Sequence, residues 1–225
     1  MKKGIFITAT GTDVGKTYIS ALMLKHLLKC GFDAGYYKPV LSGAIQRDNK
    51  LIPGDCDFVL KFAGLGLEPE NFVSYIYKEA VSPHLAAQIE NNPVELSKII
   101  SDFNNIKKQF DYIIVEGAGG IVCPFRLDND KKIILPDVIK ALGLDIIIVA
   151  SAGLGTINST FLTVEYAKKC GINVRGIVLN NYDENNLMMH DNLKQIEALT
   201  GVKVIAAVEK NAQDIDFDFN IFKEI

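Results

Sequence analysis

A chain of 225 residues with 48% hydrophobic content can bury a sizeable core, and disorder is not its default. A formal net charge of -3, with Lys and Arg scattered rather than clustered, offers no basic field to a polyanion, so nucleic acid is not an expected partner. The longest apolar segment beyond the first strand, "DIIIVASAG", is far below the roughly 20 residues of a membrane span, and no membrane is expected either.

The chain starts "MKKGIFITAT". Its apolar stretch is shorter than a secretory h-region and runs into Gly11, Thr12 and Asp13, so a cytosolic location is expected. Residues 4–9 read as a strand, followed by "ATGTDVGKT" and a helical segment over 15–30 that Gly31 closes. A strand, a loop with inward N–H groups and a helix N-terminus are what a phosphate cradle needs. Lys16 would reach the terminal phosphates and the Thr17 hydroxyl would ligate Mg2+. The spacing departs from G-x-x-x-x-G-K-[ST]: counting back from Gly15, Gly11 leaves three residues between and Ala9 leaves five. Gly-Lys-Thr alone is common by chance, so the strand before it and the helix after it carry the assignment.

Residues 34–40 read as the next strand, ending in "YYKPVLSG", where Lys38 and Ser42 would lie at the same sheet edge as the loop. Residues 41–95, punctuated by Gly43, Pro53, Gly54, Gly64, Gly66 and Pro69, read as an excursion from the sheet rather than a second domain. A helical stripe over 96–110 follows Pro93, built from Leu96, Ile99, Ile100, Phe103, Ile106 and Phe110. The strand "DYIIVEG" (111–117) then places Glu116 at a carboxyl end, where open α/β sheets bind ligands and where Glu116 could complete a Mg2+ shell. Gly117, Gly119 and Gly120 would let backbone come close to a phosphate.

Further strands are expected at 145–151, 174–181 and 202–208, with a helix over 156–170 closed by Gly171. The apolar runs are continuous rather than alternating, as in strands covered on both faces. The expected fold is therefore α/β: one domain over 1–225, a mostly parallel sheet with helices on both faces, P-loop NTPase-like. Cys30, Cys56, Cys123 and Cys170 form no C-x-x-C pair and suit free thiols better than a zinc or disulfide framework.

The ordered set "TDVGKT", "YYKPVLSG", "GDCDFV", "SPHLAA", "IIVEGAGG", "LGTIN" and "VLNN", covering about residues 4–181, resembles the dethiobiotin synthetases. That resemblance implies an ATP-dependent cyclo-ligase that turns 7,8-diaminopelargonic acid and CO2 into dethiobiotin, with ADP and phosphate, by way of a carbamate and a carbamic-phosphoric anhydride. It implies ATP phosphates held by Thr12, Asp13, Val14, Gly15, Lys16 and Thr17 with Gly119, and adenine held by Asn180. Catalysis would fall to Lys38, Lys16, Thr12 and Ser42, with Lys38 and Ser42 on the substrate side. The implied magnesium set is Thr17, Glu116 and an acid of "GDCDFV"; Asp55 is preferred because the family's acid opens a helix with an apolar residue four positions on, here Val59, with Asp57 in reserve. Gly155, Thr156 and Asn158 would hold the substrate's carboxyl tail across a homodimer interface, whereas His84 reads as a packed helix start rather than a catalytic group.

Departures from the family pattern are Ala9, Gly11 and the tail "VIAAVEKN", which leaves the base pocket poorly specified. Two other readings compete. A partitioning-type ATPase switch with protein partners would usually carry a second lysine early in the loop, where this chain has Thr10 and Gly11. A cobyric or cobyrinic acid synthase relative would need a glutaminase domain for which 225 residues leave no room.

Overall fold

The first apolar run forms β1 (Gly4–Ala9), buried at every position because it lies at the centre of the sheet. The computed structural model describes residues 4–48 and 50–217; the opening "MKK" and the last residues of the 1–225 span lie outside the described residues. After β1 come α1 (Lys16–Lys29), β2 (Ala34–Ser42), a short hairpin of β3 (Ile45–Arg47) and β4 (Lys50–Ile52), and α2 (Gly54–Phe62). Next are β5 (Val73–Tyr77), α3 (Pro83–Ile89), α4 (Leu96–Ile106) and β6 (Tyr112–Glu116). A second hairpin, β7 (Pro124–Leu127) and β8 (Lys132–Ile134), leads into α5 (Leu135–Leu142) and β9 (Ile146–Ser151). The remainder is α6 (Thr156–Lys169), β10 (Val174–Tyr182), α7 (Leu187–Thr200) and β11 (Val204–Glu209).

Seven strands form one sheet in the order β11-β10-β9-β1-β6-β2-β5, with every pairing parallel. Helices cover both faces. On β2, Tyr36 and Lys38 face α1 and α2, while Tyr37 turns to the other side and donates to the Ile99 carbonyl of α4. Such two-sided cover is why β1, β6 and β9 are nearly continuous runs of Ile, Val, Phe and Ala.

Two expectations need correction. Residues 41–95 do not stay away from the sheet: β5 returns to pair with β2 and forms its edge. An edge strand is covered less evenly, and Val73–Tyr77 alternates between buried and half-buried positions, a pattern masked by the surrounding Gly and Pro. The helix expected over 96–110 ends at Ile106, and Phe110 packs instead over Gly35, whose missing side chain leaves room for the ring. The hairpins and the helices α5 and α7 are additions. Gly31 and Gly171 do take positive φ, +82° and +72°, just after α1 and α6.

Candidate nucleotide and substrate cleft

Ala9 ends the central strand, and Thr10 donates its N–H to the Val149 carbonyl before the chain leaves the sheet. Asp13 (φ 58°) and Gly15 (φ 95°) both adopt the left-handed region, a sequence of turns that directs successive N–H groups into a concavity at the start of α1. Aspartate is among the few non-glycine residues that tolerate that region. Lys16 is buried, and its Nζ lies 3.1 Å from the Gly11 carbonyl, so the side chain curls back over its own loop. Burial lowers the Lys16 pKa, with Glu116 working against the shift.

Glu116, at the end of β6 beside β1, is fully buried. Its Oε1 accepts from Thr17 Oγ1 at 2.8 Å and from Lys38 Nζ at 2.6 Å, and its Oε2 accepts from the Tyr36 hydroxyl at 2.9 Å. Lys38 also meets Asp55 at 2.8 Å from the start of α2. Burial alone would lower the Lys38 pKa, but Glu116 and Asp55 outweigh it and hold the ammonium above its ordinary value. Asp55 shows the reverse balance: burial raises its carboxyl, yet Lys38 draws it below the usual range.

Thr12, Asp13, Gly15, Lys16 and Thr17 line one cleft of about 550 Å³. Lys38, Ser42, Asp55, Glu116 and Gly119 line the same cleft from the ends of β2, α2 and β6. Asp57 instead pairs with Lys61 one turn along α2, at 2.7 Å on the surface. Val14 and Asn180 do not line the cleft; Asn180 backs the loop at Val14. Asn180 Nδ2 donates to the Val14 carbonyl at 3.0 Å, and a Cβ on Gly15 would fall 2.1 Å from that nitrogen. A register shift in the β10–β11 pairing and left-handed Asn181 (φ 56°) accompany this placement at the end of β10. A Cβ added to Gly120 would lie 3.5 Å from backbone atoms of Ala9 and Gly11, so the loop after β6 runs close against the loop after β1.

Of the carboxylate-tail candidates, Asn158 borders a cavity shared with Thr10, Thr12, Gly119 and Gly120, which adjoins the phosphate cleft through Thr12 and Gly119. Gly155 and Asn158 are exposed and also border a cavity on the other side of α6, with Leu154 beside them 90% exposed. The Thr156 side chain turns inward to Thr160, and its N–H is taken by Gly153. His84 borders another cavity near Arg126, away from the phosphate loop. Residues that the sequence did not single out are Tyr36 and the aromatic pair Tyr18 and Phe58, which also line the cleft or its floor. A strand places residues i and i+2 on one face, so the spacing of Tyr36 from Lys38 was the available signal.

An all-oxygen set of one hydroxyl and two carboxylates around a cation niche has the chemistry magnesium prefers. That niche already draws a cation, since the Lys38 ammonium sits between Glu116 and Asp55.

Comparison with known proteins extends these observations. A family model described as "AAA domain" matches residues 3–215. The ATP-dependent dethiobiotin synthetase BioD of Clostridium perfringens (strain 13 / Type A) is 47% identical over 226 residues, covering 100% of this chain and 98% of that protein. The protein of the same name from Brachyspira hyodysenteriae (strain ATCC 49526 / WA1) is 50% identical over 208 residues, covering 92% of each. Among solved structures, a ParA family ATPase from Chlorobium tepidum TLS superposes with a TM-score of 0.56 at 16% identity, covering 94% of this chain and 86% of that one. At that identity the likeness shows the fold alone.

Proposed function

The chain belongs to the dethiobiotin synthetase family, and from that membership we propose how its own residues carry the reaction. It is an ATP-dependent ligase of biotin biosynthesis, forming dethiobiotin. The observation that carries the residue assignment is the convergence of Lys16, Thr17, Lys38, Asp55 and Glu116 from α1, β2, α2 and β6 on one cleft.

In this reading the backbone of Thr12 to Thr17 wraps the triphosphate, with Gly119 close by and Lys16 leaving the Gly11 carbonyl for the outer phosphates. Thr17, Asp55 and Glu116 would hold Mg2+, which would supply charge neutralisation to the phosphates. Asp55 is favoured over Asp57 because it faces Lys38 in the cleft. Lys38 and Ser42, at the end of β2, take the diamine side. One amine of 7,8-diaminopelargonic acid adds CO2 as a carbamate, the carbamate oxygen attacks the γ-phosphate, and the second amine displaces phosphate to close the ring. Lys16 and Lys38 reduce the repulsion between anionic carbamate and phosphate. No strong base is needed, because a well-placed second amine can supply roughly 7–11 kcal/mol through proximity alone.

Asn180 contacts adenine with Oδ1, since Nδ2 is engaged by the Val14 carbonyl. The segment Gly155, Thr156 and Asn158 receives the substrate's carboxyl tail from a second protomer at the start of α6, through the N–H groups of Gly155 and Asn158, with Thr156 anchoring the turn through its bonds to Gly153 and Thr160. In this reading the sites are shared across a homodimer, and the exposed Gly155 and Leu154 at the start of α6 leave that end accessible to a partner. The four cysteines, none in a disulfide, suit a cytoplasmic enzyme, and among the described residues no helix is long and apolar enough to cross a membrane. We take residues 1–225 as one domain.

The test is direct. Purified protein given the diamine, bicarbonate, Mg2+ and ATP should release ADP only when the diamine is present, with dethiobiotin detected by mass. ADP release that ignores the diamine, with no dethiobiotin formed, overturns the assignment.

A further inference from the structure

Tyr36 is wholly buried in the sheet and forms one hydrogen bond that the reaction described so far does not use. It stands two residues before Lys38 on β2, so the two side chains share the face covered by α1 and α2. Tyr36 is level with Ile114 of β6, and Glu116 lies two residues further along β6 on that same face. Both β2 side chains therefore reach the one carboxylate. The Tyr36 hydroxyl donates to Oε2 at 2.9 Å, and Lys38 Nζ donates to Oε1 at 2.6 Å.

This division has a physical consequence. A fully buried carboxylate needs donors at both oxygens, and among the described residues no other donor reaches Oε2. With Oε2 tied to Tyr36 behind it, the carboxylate plane is fixed. Only Oε1 is turned toward Thr17, Lys38 and the Asp55 side of the cleft.

We propose that Tyr36 is a positioning residue that makes Glu116 a one-oxygen ligand for the divalent ion accompanying the nucleotide. The proposal rests on the reading of Thr17, Asp55 and Glu116 as the magnesium set. A carboxylate held in this way suits Mg2+, which demands near-ideal octahedral geometry, and disfavours Ca2+, which accepts bidentate carboxylates. Releasing Oε2 frees the group to rotate and offer both oxygens.

The experiment measures ADP binding by calorimetry with the full chain, in EDTA, in MgCl2 and in CaCl2. For Tyr36→Phe, affinity in EDTA should match wild type, the gain conferred by Mg2+ should shrink by about tenfold, as loss of an outer-shell partner does, and Mg2+ should lose ground to Ca2+. In turnover, half-saturating Mg2+ should rise while KM for the diamine stays put. Tyr37→Phe is the control: it removes a buried hydroxyl bonded to Ser74 and to the Ile99 carbonyl on the opposite face, and it should lower Tm without touching the Mg2+ gain. If Tyr36→Phe does not fold, Tyr36→Met, a smaller and flexible apolar side chain without a hydroxyl, reads the same quantities. An unchanged Mg2+ gain and Mg2+ to Ca2+ ratio in a folded Tyr36 variant overturns the proposal, as does an equal loss in Tyr37→Phe. If wild type and Glu116→Gln gain equally from Mg2+, the magnesium set itself fails, which is a separate result.

Discussion

Gly15→Ala puts the loop geometry under the most direct strain. Gly15 has φ +95°, and an added Cβ would lie 2.1 Å from Asn180 Nδ2 and 3.2 Å from its Cγ. No real contact survives at such a distance, so Asn180 must withdraw and give up its 3.0 Å bond to the Val14 carbonyl. Holding an L side chain in the left-handed region costs about 1–2 kcal/mol, and a lost amide hydrogen bond about 1 kcal/mol more. The sum, about 2–3 kcal/mol, corresponds in a chain of this size to a fall in Tm of roughly 5–10 °C. The assay is thermal unfolding together with ADP titration of wild type, Gly15→Ala, Asn180→Ala and the double variant. Asn180→Ala clears the obstruction, so the double variant should be more stable than the sum of the single effects by about 1 kcal/mol. A Gly15→Ala protein that melts with wild type, or a cycle that is additive, would refute the packing of Asn180 against the loop.

Lys38→Ala should retain nucleotide while its turnover falls by about a hundredfold or more, because the cation beside the transferring phosphate is gone; stopped-time ADP assays and fluorescent-nucleotide binding separate the two. Asp55→Asn should raise the Mg2+ requirement by at least about tenfold, whereas Asp57→Asn should leave it unchanged, since Asp57 serves a surface pair with Lys61; equal effects would remove Asp55 from the metal set. The Asp55–Lys38 pair also sets a pH profile. The depressed Asp55 carboxyl contributes stability that is present above its unfolded value near 3.9 and lost as pH falls through the lower folded value. The raised Lys38 contributes stability that is present below about 10.4 and lost as pH rises through the higher folded value. The Tm gap between wild type and Asp55→Asn should therefore be flat from roughly pH 5 to 9 and narrow at both ends; a gap that changes steadily across that window would contradict the pair.

The parallel sheet was legible because strands covered on both faces must be apolar at nearly every position, as in "GIFITA" and "IIIVAS". The edge strand Val73–Tyr77 was not, because its one-sided cover leaves a weaker pattern amid turn residues. The phosphate loop was readable from Gly15, Lys16 and Thr17 in their strand-to-helix setting, although Asp13 in a left-handed turn was not. Aspartate tolerates the left-handed region, but it also occupies ordinary turns and helix starts, so its presence alone does not select that conformation. Asp55 could be preferred over Asp57 on the sequence, but the separation itself comes from the turn of α2, which aims one carboxylate at Lys38 and the other at Lys61.

What the sequence determined alone was thus the order of six of the seven sheet strands, the helices α1, α4 and α6 between them, and the residue types gathered at their ends, because periodicity and local turn chemistry act over a few neighbours. Which of those residues touch was decided only by the tertiary structure. Tyr36 and Glu116 lie 80 positions apart, and Asn180 and Val14 lie 166 apart. Their contacts exist because parallel strands in the order β10-β9-β1-β6-β2 bring distant chain segments side by side with their carboxyl ends at one edge, and strand order is a property of packing that no short window of residues encodes.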